Sequence, residues 1–189
     1  VRAGGAPTPL LHNCSGKHAA MVATCGLNGW DRDGYLSVDH PLQQAIRRVI
    51  DERAGGVVHV GIDGCGAPTM ATSLRGIAGA FGRLAADASP VATAMAAHPV
   101  LVGGVGRDDT ILMEAVPGLI AKGGAEGVLV VGHRDGWSAA VKVADGNPRA
   151  LLPVTIALLA DRLVDAELLA GLSPAPILGH GHPVGTVEA

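Results

Sequence analysis

Residues 118–143, GLIAKGGAEGVLVVGHRDGWSAAVKV, decide the predicted fold class. They contain three apolar runs, GLIAKGG, GVLVVGH and WSAAVKV, with glycine-rich turns between them. Short aliphatic and β-branched runs bounded by glycine are typical of strands. The tripeptide RDG between the last two runs predicts a tight turn, so at least this part of the sheet is antiparallel.

The residues on either side of this segment predict helices. The clearest is 39–56, DHPLQQAIRRVIDERAGG, with an apolar stripe of period 3.6, Asp39 as a candidate cap and Pro41 in the first turn. Further helices are predicted at residues 15–29, 70–87, 90–98, 108–116 and 147–163. Helices, an antiparallel hairpin and a final helix indicate an α/β fold, an α-β-α sandwich with a mostly antiparallel sheet, rather than a βαβ array. We expect one domain over residues 1–189.

The composition excludes several classes of protein. Apolar residues make up 48% of the chain and the net charge is −3, so no basic surface for nucleic acid or membrane is expected. No apolar run is long enough for a transmembrane helix. The three cysteines are an odd number, which argues against a disulfide framework and for a reducing compartment, so we expect a cytoplasmic protein.

The segment 10–21, LLHNCSGKHAAM, concentrates reactive side chains where a helix is predicted to begin. A helix N-terminus favours the thiolate of Cys14, and the same dipole disfavours an ammonium at Lys17. Cys65 lies in the glycine-flanked turn DGCGAP. Two thiolates and a neutral amine can hold Zn²⁺ with a fourth position open. Spacing alone leaves an alternative open, in which both cysteines are small buried hydrophobes and Lys17 is solvated.

Four other residues, Lys122, Cys25, His180 and His182, are also chemical candidates. Lys122 ends an apolar strand and precedes two glycines, which suits a site that binds a carboxylate or tunes a nucleophile, although an ordinary solvated lysine fits equally well. Cys25 lies in an apolar stretch and is expected in the core. His180 and His182 lie in a Pro- and Gly-rich tail, which favours a loop over a metal site.

Four motifs together resemble a known family. HNCSGKHAAM, GIDGCGAPT, AKGGAEGV and VKVADGNPRA occur in this order, and they resemble the bacterial asparaginase II family of the rhizobial, thermolabile type. The resemblance implies hydrolysis of L-asparagine to L-aspartate and ammonia. It also implies a homodimer and a fold like that of serine β-lactamases, penicillin-binding proteins and glutaminases.

The resemblance also assigns site residues. The family's zinc ligands match Cys14, Lys17 and Cys65, with water as a further ligand, and Lys122 matches a catalytic lysine. The remaining matches are expected to bind substrate or to surround the site: His18, Asp63, Gly124 and Glu126.

One departure from the family pattern concerns the nucleophile. The family's nucleophilic serine belongs to a Ser-x-x-Lys motif, and that motif does not occur in these 189 residues. We therefore expect the chain to correspond to the C-terminal two-thirds of the family, without its N-terminal part, and to be inactive alone.

Two rival hypotheses remain. One is an amidohydrolase with Cys14 or Ser15 as nucleophile and His18 as base, and the other is a non-catalytic zinc-binding module for a small amino acid.

Overall fold

The computed structural model describes residue 6 and residues 8–161, 165, 167–172 and 176–187. These residues form two compact units, divided between Thr72 and Ser73. Each unit has its own secondary structure. The single domain expected over residues 1–189 stays a prediction.

The first unit contains two helices and a hairpin. Strands β1 and β2 pair in antiparallel fashion, with His59 opposite Ala71 and Ile62 opposite Pro68. Helix α1 ends at Gly29, whose φ of 67° is left-handed and therefore suits glycine. The elements of this unit are a 3₁₀ turn Pro9–Leu11, α1 Ser15–Asn28, α2 Pro41–Ala54, β1 His59–Ile62 and β2 Pro68–Ala71.

The predicted helix starts need three corrections. Cys14, not Ser15, holds the position before α1, and its side chain makes no capping hydrogen bond. His40, not Asp39, caps α2, because Pro41 takes the first helical position and the residue before it becomes the cap; His40 Nδ1 accepts a hydrogen bond from Leu42 N at 3.1 Å. The helix predicted at 70–87 starts only at Leu74, because Met70 and Ala71 pair with β1.

The second unit is built on a three-stranded antiparallel sheet in the order β3-β4-β5. Lys122 lies opposite Val130, and Val130 lies opposite Ala140. The predicted strands and their antiparallel turn are therefore confirmed. The elements are α3 Leu74–Ala86, α4 Pro90–Ala97, α5 Pro99–Val102, α6 Asp108–Ala115, β3 Leu119–Gly124, β4 Val128–His133, β5 Ser138–Lys142, α7 Leu151–Ala160, α8 Glu167–Ala170, β6 Ile177–Gly179 and β7 His182–Gly185.

Helices cover both faces of this sheet. Because side chains alternate along a strand, Leu119 and Ala121 point to one face and Ile120 to the other. Leu119 and Ala121 join a core with residues of α6 and α7, whereas Ile120 packs with Ala85 of α3 and Ala92 of α4. The mixed α/β class with helices on both sides of an antiparallel sheet agrees with the prediction. Within the ranges that the structure describes, no helix has the length and apolar character needed to span a bilayer.

The close packing of α3 on the sheet makes a testable prediction at Gly132. A Cβ added there would lie 2.5 Å from the backbone oxygen of Phe81, so helix and strand would have to move apart. We expect Gly132→Ala to lower the free energy of unfolding by about 1–3 kcal/mol, the usual cost of overpacking. Urea unfolding followed by circular dichroism measures this.

Gly61→Ala is the matched strand control. Its added Cβ would make an ordinary contact, 3.6 Å from Thr69 Cγ2. We expect a change of less than about 0.5 kcal/mol there. Equal stability of the two variants would show that the close packing of α3 on β4 does not require glycine at position 132.

Candidate functional site

A tight turn between β1 and β2 presents Cys65. The backbone N–H of Asp63 donates to Ala67 O at 2.9 Å, and that of Gly66 donates to Asp63 O at 2.8 Å. The Asp63 side chain accepts a further hydrogen bond from Gly64 N at 2.7 Å. This last bond is the main reason that the pKa of Asp63 is lowered, with Lys17 adding to it. The turn is therefore held by its own backbone and carries a carboxylate beside the thiol.

The start of α1 brings the other predicted ligands to this turn. Lys17 Nζ lies 3.2 Å from Cys65 Sγ and 3.5 Å from Asp63 Oδ2. The Cys14 thiol is near enough to Cys65 for Cys65 to raise its pKa. Residues that are 48 positions apart in the chain thus meet in one cluster. The set Cys14, Lys17 and Cys65, which spacing alone left open, comes together in the first unit.

The two thiols of the cluster differ in acidity. A hydrogen bond from the Ala67 backbone N–H, together with His18 and Lys17, outweighs desolvation and lowers the pKa of Cys65 to about 7. The pKa of Cys14 is raised, because desolvation and the neighbouring Cys65 and Asp63 outweigh the attraction of Lys17. The expectation that the helix N-terminus makes Cys14 the acidic thiol is therefore wrong, and Cys65 is the better thiolate.

Lys17 also differs from its predicted state. Burial alone lowers the pKa of Lys17, but the hydrogen bond and charge of Cys65, followed by Cys14 and Asp63, raise it above its ordinary value. The sequence argument for a neutral amine, based on the helix dipole, therefore does not hold for the metal-free cluster. An ammonium occupies the place beside the Cys65 sulfur where a cation is favoured.

His18 and Tyr35 form the wall of the cluster. His18 Nδ1 lies 2.7 Å from Tyr35 Oη, and the two rings meet edge to face. His18 Nε2 is buried and has no hydrogen-bond partner within the described ranges. The His18 side chain also contributes to the lowered pKa of Cys65. Gln43 Nε2 fixes the backbone of Tyr35 through a 2.8 Å hydrogen bond to its carbonyl. Sequence reasoning missed Tyr35, because nothing in its local sequence links it to His18.

The chemistry of these donors fits a zinc ion. Among the described residues, no group of three or more His, Cys, Asp or Glu side chains is placed to hold a metal. The predicted set has only two residues of these types, and Lys17 supplies the third donor. Two sulfurs and one nitrogen are ligands that Zn²⁺ accepts, provided that the amine loses its proton. A cavity of about 810 Å³ in the same unit is lined by His12, His18, Tyr35 and Cys65 among others.

In the second unit, Lys122 lies at the exposed end of β3. Its Nζ donates to Gly123 O at 2.7 Å and lies 3.4 Å from Asp109 Oδ2. The Lys122 side chain is 47% exposed, whereas that of Asp109 is 5% exposed. A cavity of about 260 Å³ beside this strand end is lined by Asp109, Gly123, Gly124 and Arg149 among others. The amine is thus both anchored and accessible, which a proton-transfer group requires.

Gly124 and Glu126 lie in different surroundings. Gly124 lines the 260 Å³ cavity, but Glu126 is not among its lining residues. Glu126 is an exposed turn residue with a left-handed φ of 59°, and its backbone oxygen accepts a hydrogen bond from Lys142 Nζ at 2.7 Å. The structure therefore places Gly124 at the cavity and Glu126 at the turn that joins β3 to β4.

The remaining chemical candidates of the sequence lie outside both clusters. Cys25 is completely buried in α1, as expected for a core residue. His180 and His182 are exposed on the hairpin formed by β6 and β7. The predicted loop is therefore corrected to a β-hairpin, because His180 and Gly181 both have a left-handed φ and form a two-residue turn that pairs Gly179 with His182.

Comparison with known proteins shows the family. The family model described as L-asparaginase II matches residues 1–189, the whole chain. The protein therefore belongs to the L-asparaginase II family, as the four motifs indicated. No curated protein gave a significant match.

The acidities of the thiols predict an order of alkylation. The thiolate is the reactive form, so in metal-free protein at neutral pH iodoacetamide should modify Cys65 faster than Cys14. Because the pKa of Cys65 is lowered to about 7, its reactivity should persist down to about that pH and fall below it. Buried Cys25 should react only after unfolding. Peptide mass spectrometry over a pH series measures all three rates.

Lys17→Gln tests the cause of this acidity. The variant removes the cation and the hydrogen bond but keeps the Ala67 N–H, which is the largest contribution. The pKa of Cys65 should therefore rise only part of the way, and its alkylation at neutral pH should slow. An unchanged Cys65 rate in Lys17→Gln, or Cys14 reacting first in the unaltered protein, would contradict the described cluster.

Proposed function

We propose that the protein is an amidohydrolase that converts L-asparagine to L-aspartate and ammonia, with a zinc ion at Cys14, Lys17 and Cys65. The observation that carries the proposal is the meeting of these three side chains, within a chain that belongs to the L-asparaginase II family. The cytoplasmic location and the homodimer implied by the resemblance are part of the proposal. Its direct test is ammonia release from L-asparagine, compared with L-glutamine.

Zinc binding would use the ion pair that the cluster already contains. With a pKa of about 7, Cys65 is already partly a thiolate near neutral pH, and the ammonium of Lys17 would give up its proton to leave a lone pair. Cys14 would lose its proton as the third ligand. His18, held by Tyr35, would orient the Cys65 sulfur. A zinc ion held by these residues would supply Lewis-acid chemistry.

Lys122 is proposed as the proton-transfer group. Its amine is accessible at the end of β3 and its position is fixed by Gly123 O and Asp109. Amide hydrolysis requires a base to activate the nucleophile and an acid to protonate the leaving ammonia. An amine that can exchange its proton serves both steps.

The nucleophile in this proposal is a serine. A Ser-x-x-Lys motif is what the family resemblance implies, and none occurs in the 189 residues, so the proposal places the serine outside them. The acylated residue can be identified by trapping the acyl-enzyme of the full-length protein and mapping it by mass spectrometry. Modification of a serine outside these residues supports the proposal.

A thiol nucleophile is the competing function, and one observation favours it. The pKa of Cys65 is lowered to about 7 and His18 lies beside its sulfur, a pairing that also activates catalytic cysteines. The structure thus favours Cys65 over the Cys14 of the original rival hypothesis. Acylation of Cys65 in the trapping experiment, with turnover that survives zinc chelation, would replace the serine mechanism by this one.

Zinc stoichiometry tests the metal centre. The protein should bind one zinc ion per chain, and Cys65→Ser should weaken binding by roughly a thousandfold or more, because thiolates dominate such sites. Lys17→Arg should weaken it too, since a guanidinium keeps its proton and offers no lone pair. Metal analysis and competition with a chromophoric chelator measure both variants.

Cys25→Ala is the control for this experiment. It also removes a thiol, but one that is buried outside the cluster. Its zinc content should equal that of the unaltered protein. One zinc per chain in Cys65→Ser, bound as tightly as before, would rule out the proposed ligand set.

Lys122→Met tests the proton-transfer role. In the full-length protein we expect kcat to fall by roughly a hundredfold or more, the usual scale for such a group, with KM little changed. Lys122→Arg keeps the charge, but a guanidinium does not lose its proton near neutral pH and so cannot act as a base; kcat should fall comparably. Steady-state ammonia release measures both. If Lys122→Arg keeps full kcat, or if only KM changes, Lys122 serves as a binding charge instead.

A further inference from the structure

Asp109 is a buried carboxylate outside the set of residues indicated by the motifs. It is 4% exposed, in the first turn of α6. Its Oδ2 accepts a hydrogen bond from Gly123 N at 3.0 Å and lies 3.4 Å from Lys122 Nζ. Its Oδ1 accepts from Thr110 N at 3.1 Å. One oxygen atom thus holds two consecutive residues of β3.

Glycines at positions 103 and 123 leave room for the Asp109 carboxylate. A Cβ added at Gly103 would clash with Asp109 Oδ1, and one added at Gly123 would lie 3.4 Å from Oδ2. A buried carboxylate is costly unless it is paired and hydrogen-bonded. Within the part of the chain that the structure describes, Lys122 is the cation that pairs with it. The buried carboxylate of Asp109 is therefore paired with Lys122, at the strand end beside the 260 Å³ cavity.

We propose that Asp109 is the positioning residue of Lys122: its buried carboxylate fixes the amine and the Gly123 backbone at the strand end. This inference rests on the proposed function of Lys122. Without Asp109, Lys122 keeps only its bond to the neighbouring Gly123 carbonyl, and a half-exposed lysine then samples many rotamers. The amine would spend less time where it can exchange a proton with the reacting group.

Asp109→Asn separates the charge from the structural bond. The amide oxygen of asparagine can still accept from Gly123 N, so the bond to the strand end is kept. The ion pair with Lys122 is lost, and so is the hydrogen bond from Thr110 N, because the amide nitrogen cannot accept it. In the full-length protein we expect kcat for L-asparagine to fall by about tenfold, the low end for residues that orient a functional group, while KM changes less than about twofold. Glu114→Gln, on the exposed side of the same helix, is the charge control and should leave both constants unchanged.

A second readout does not require activity. The sequence has three lysines, Lys17, Lys122 and Lys142, so acetylation by limiting acetic anhydride can be followed at each by peptide mass spectrometry. An ion pair must open before its amine reacts. Asp109→Asn should therefore speed acetylation of Lys122 about two- to fivefold, the scale of a partly exposed pair. Lys142, which donates to the backbone oxygens of Glu126 and Val143, is the internal reference and should not change.

The two readouts distinguish the possible failures. Unchanged acetylation of Lys122 in Asp109→Asn, in protein shown to be folded by circular dichroism, would overturn the inference whatever the activity. Faster acetylation with unaltered kcat would also overturn it, because the pair would then have no role in the reaction. If acetylation is faster but the full-length protein does not hydrolyse L-asparagine, the proposed function is refuted and the pairing of Asp109 with Lys122 still holds.

Discussion

The site in the first unit depends on the contact between Lys17 Nζ and Cys65 Sγ at 3.2 Å. It joins the first turn of α1 to the turn between β1 and β2, and it pairs an ammonium with a thiol whose pKa is about 7. The same contact shapes the acidity of the neighbours, because the positive charge also lowers the pKa of Asp63. Metal binding releases protons from its ligands, so a zinc ion would take the place of the proton in the contact between Lys17 and Cys65.

In the second unit, the lysine that is held in place is Lys122 at the end of β3. A lysine at the end of a strand is normally mobile, and here Asp109 Oδ2 and Gly123 O restrict it from two sides. The carboxylate that does this is buried and held in a space that glycine at position 103 leaves free. Each unit thus contains a lysine held by acidic side chains: Lys17 by the Cys65 thiol and the Asp63 carboxylate, and Lys122 by the Asp109 carboxylate.

The sequence predicted the elements that have a clear apolar pattern or a clear turn sequence. The strands of 118–143 and their RDG turn have both, and the helix at 39–56 has a clear apolar stripe. The short strand Pro68–Ala71 was missed, because its pairing with β1 is a tertiary contact without a local pattern. The convergence of Cys14, Lys17 and Cys65 could be expected only from the family motifs, since spacing cannot show that residues 48 positions apart meet.

The errors at the site have a common physical cause. The helix dipole predicts an acidic Cys14 and a neutral Lys17. Desolvation and the neighbouring Cys65 and Asp63 instead raise the pKa of Cys14. For Lys17, the hydrogen bond and charge of Cys65 and the charges of Cys14 and Asp63 outweigh desolvation and raise the pKa. Asp109 has no sequence signature that separates it from Asp108 beside it; only packing shows which one is buried.

The most direct test of the account is zinc K-edge X-ray absorption on the zinc-loaded protein. Two sulfur neighbours at about 2.3 Å and nitrogen or oxygen neighbours at about 2.0–2.1 Å are expected, and Cys65→Ser should reduce the sulfur count to one. A shell of nitrogen and oxygen alone, or a sulfur count that Cys65→Ser does not change, would contradict the zinc centre.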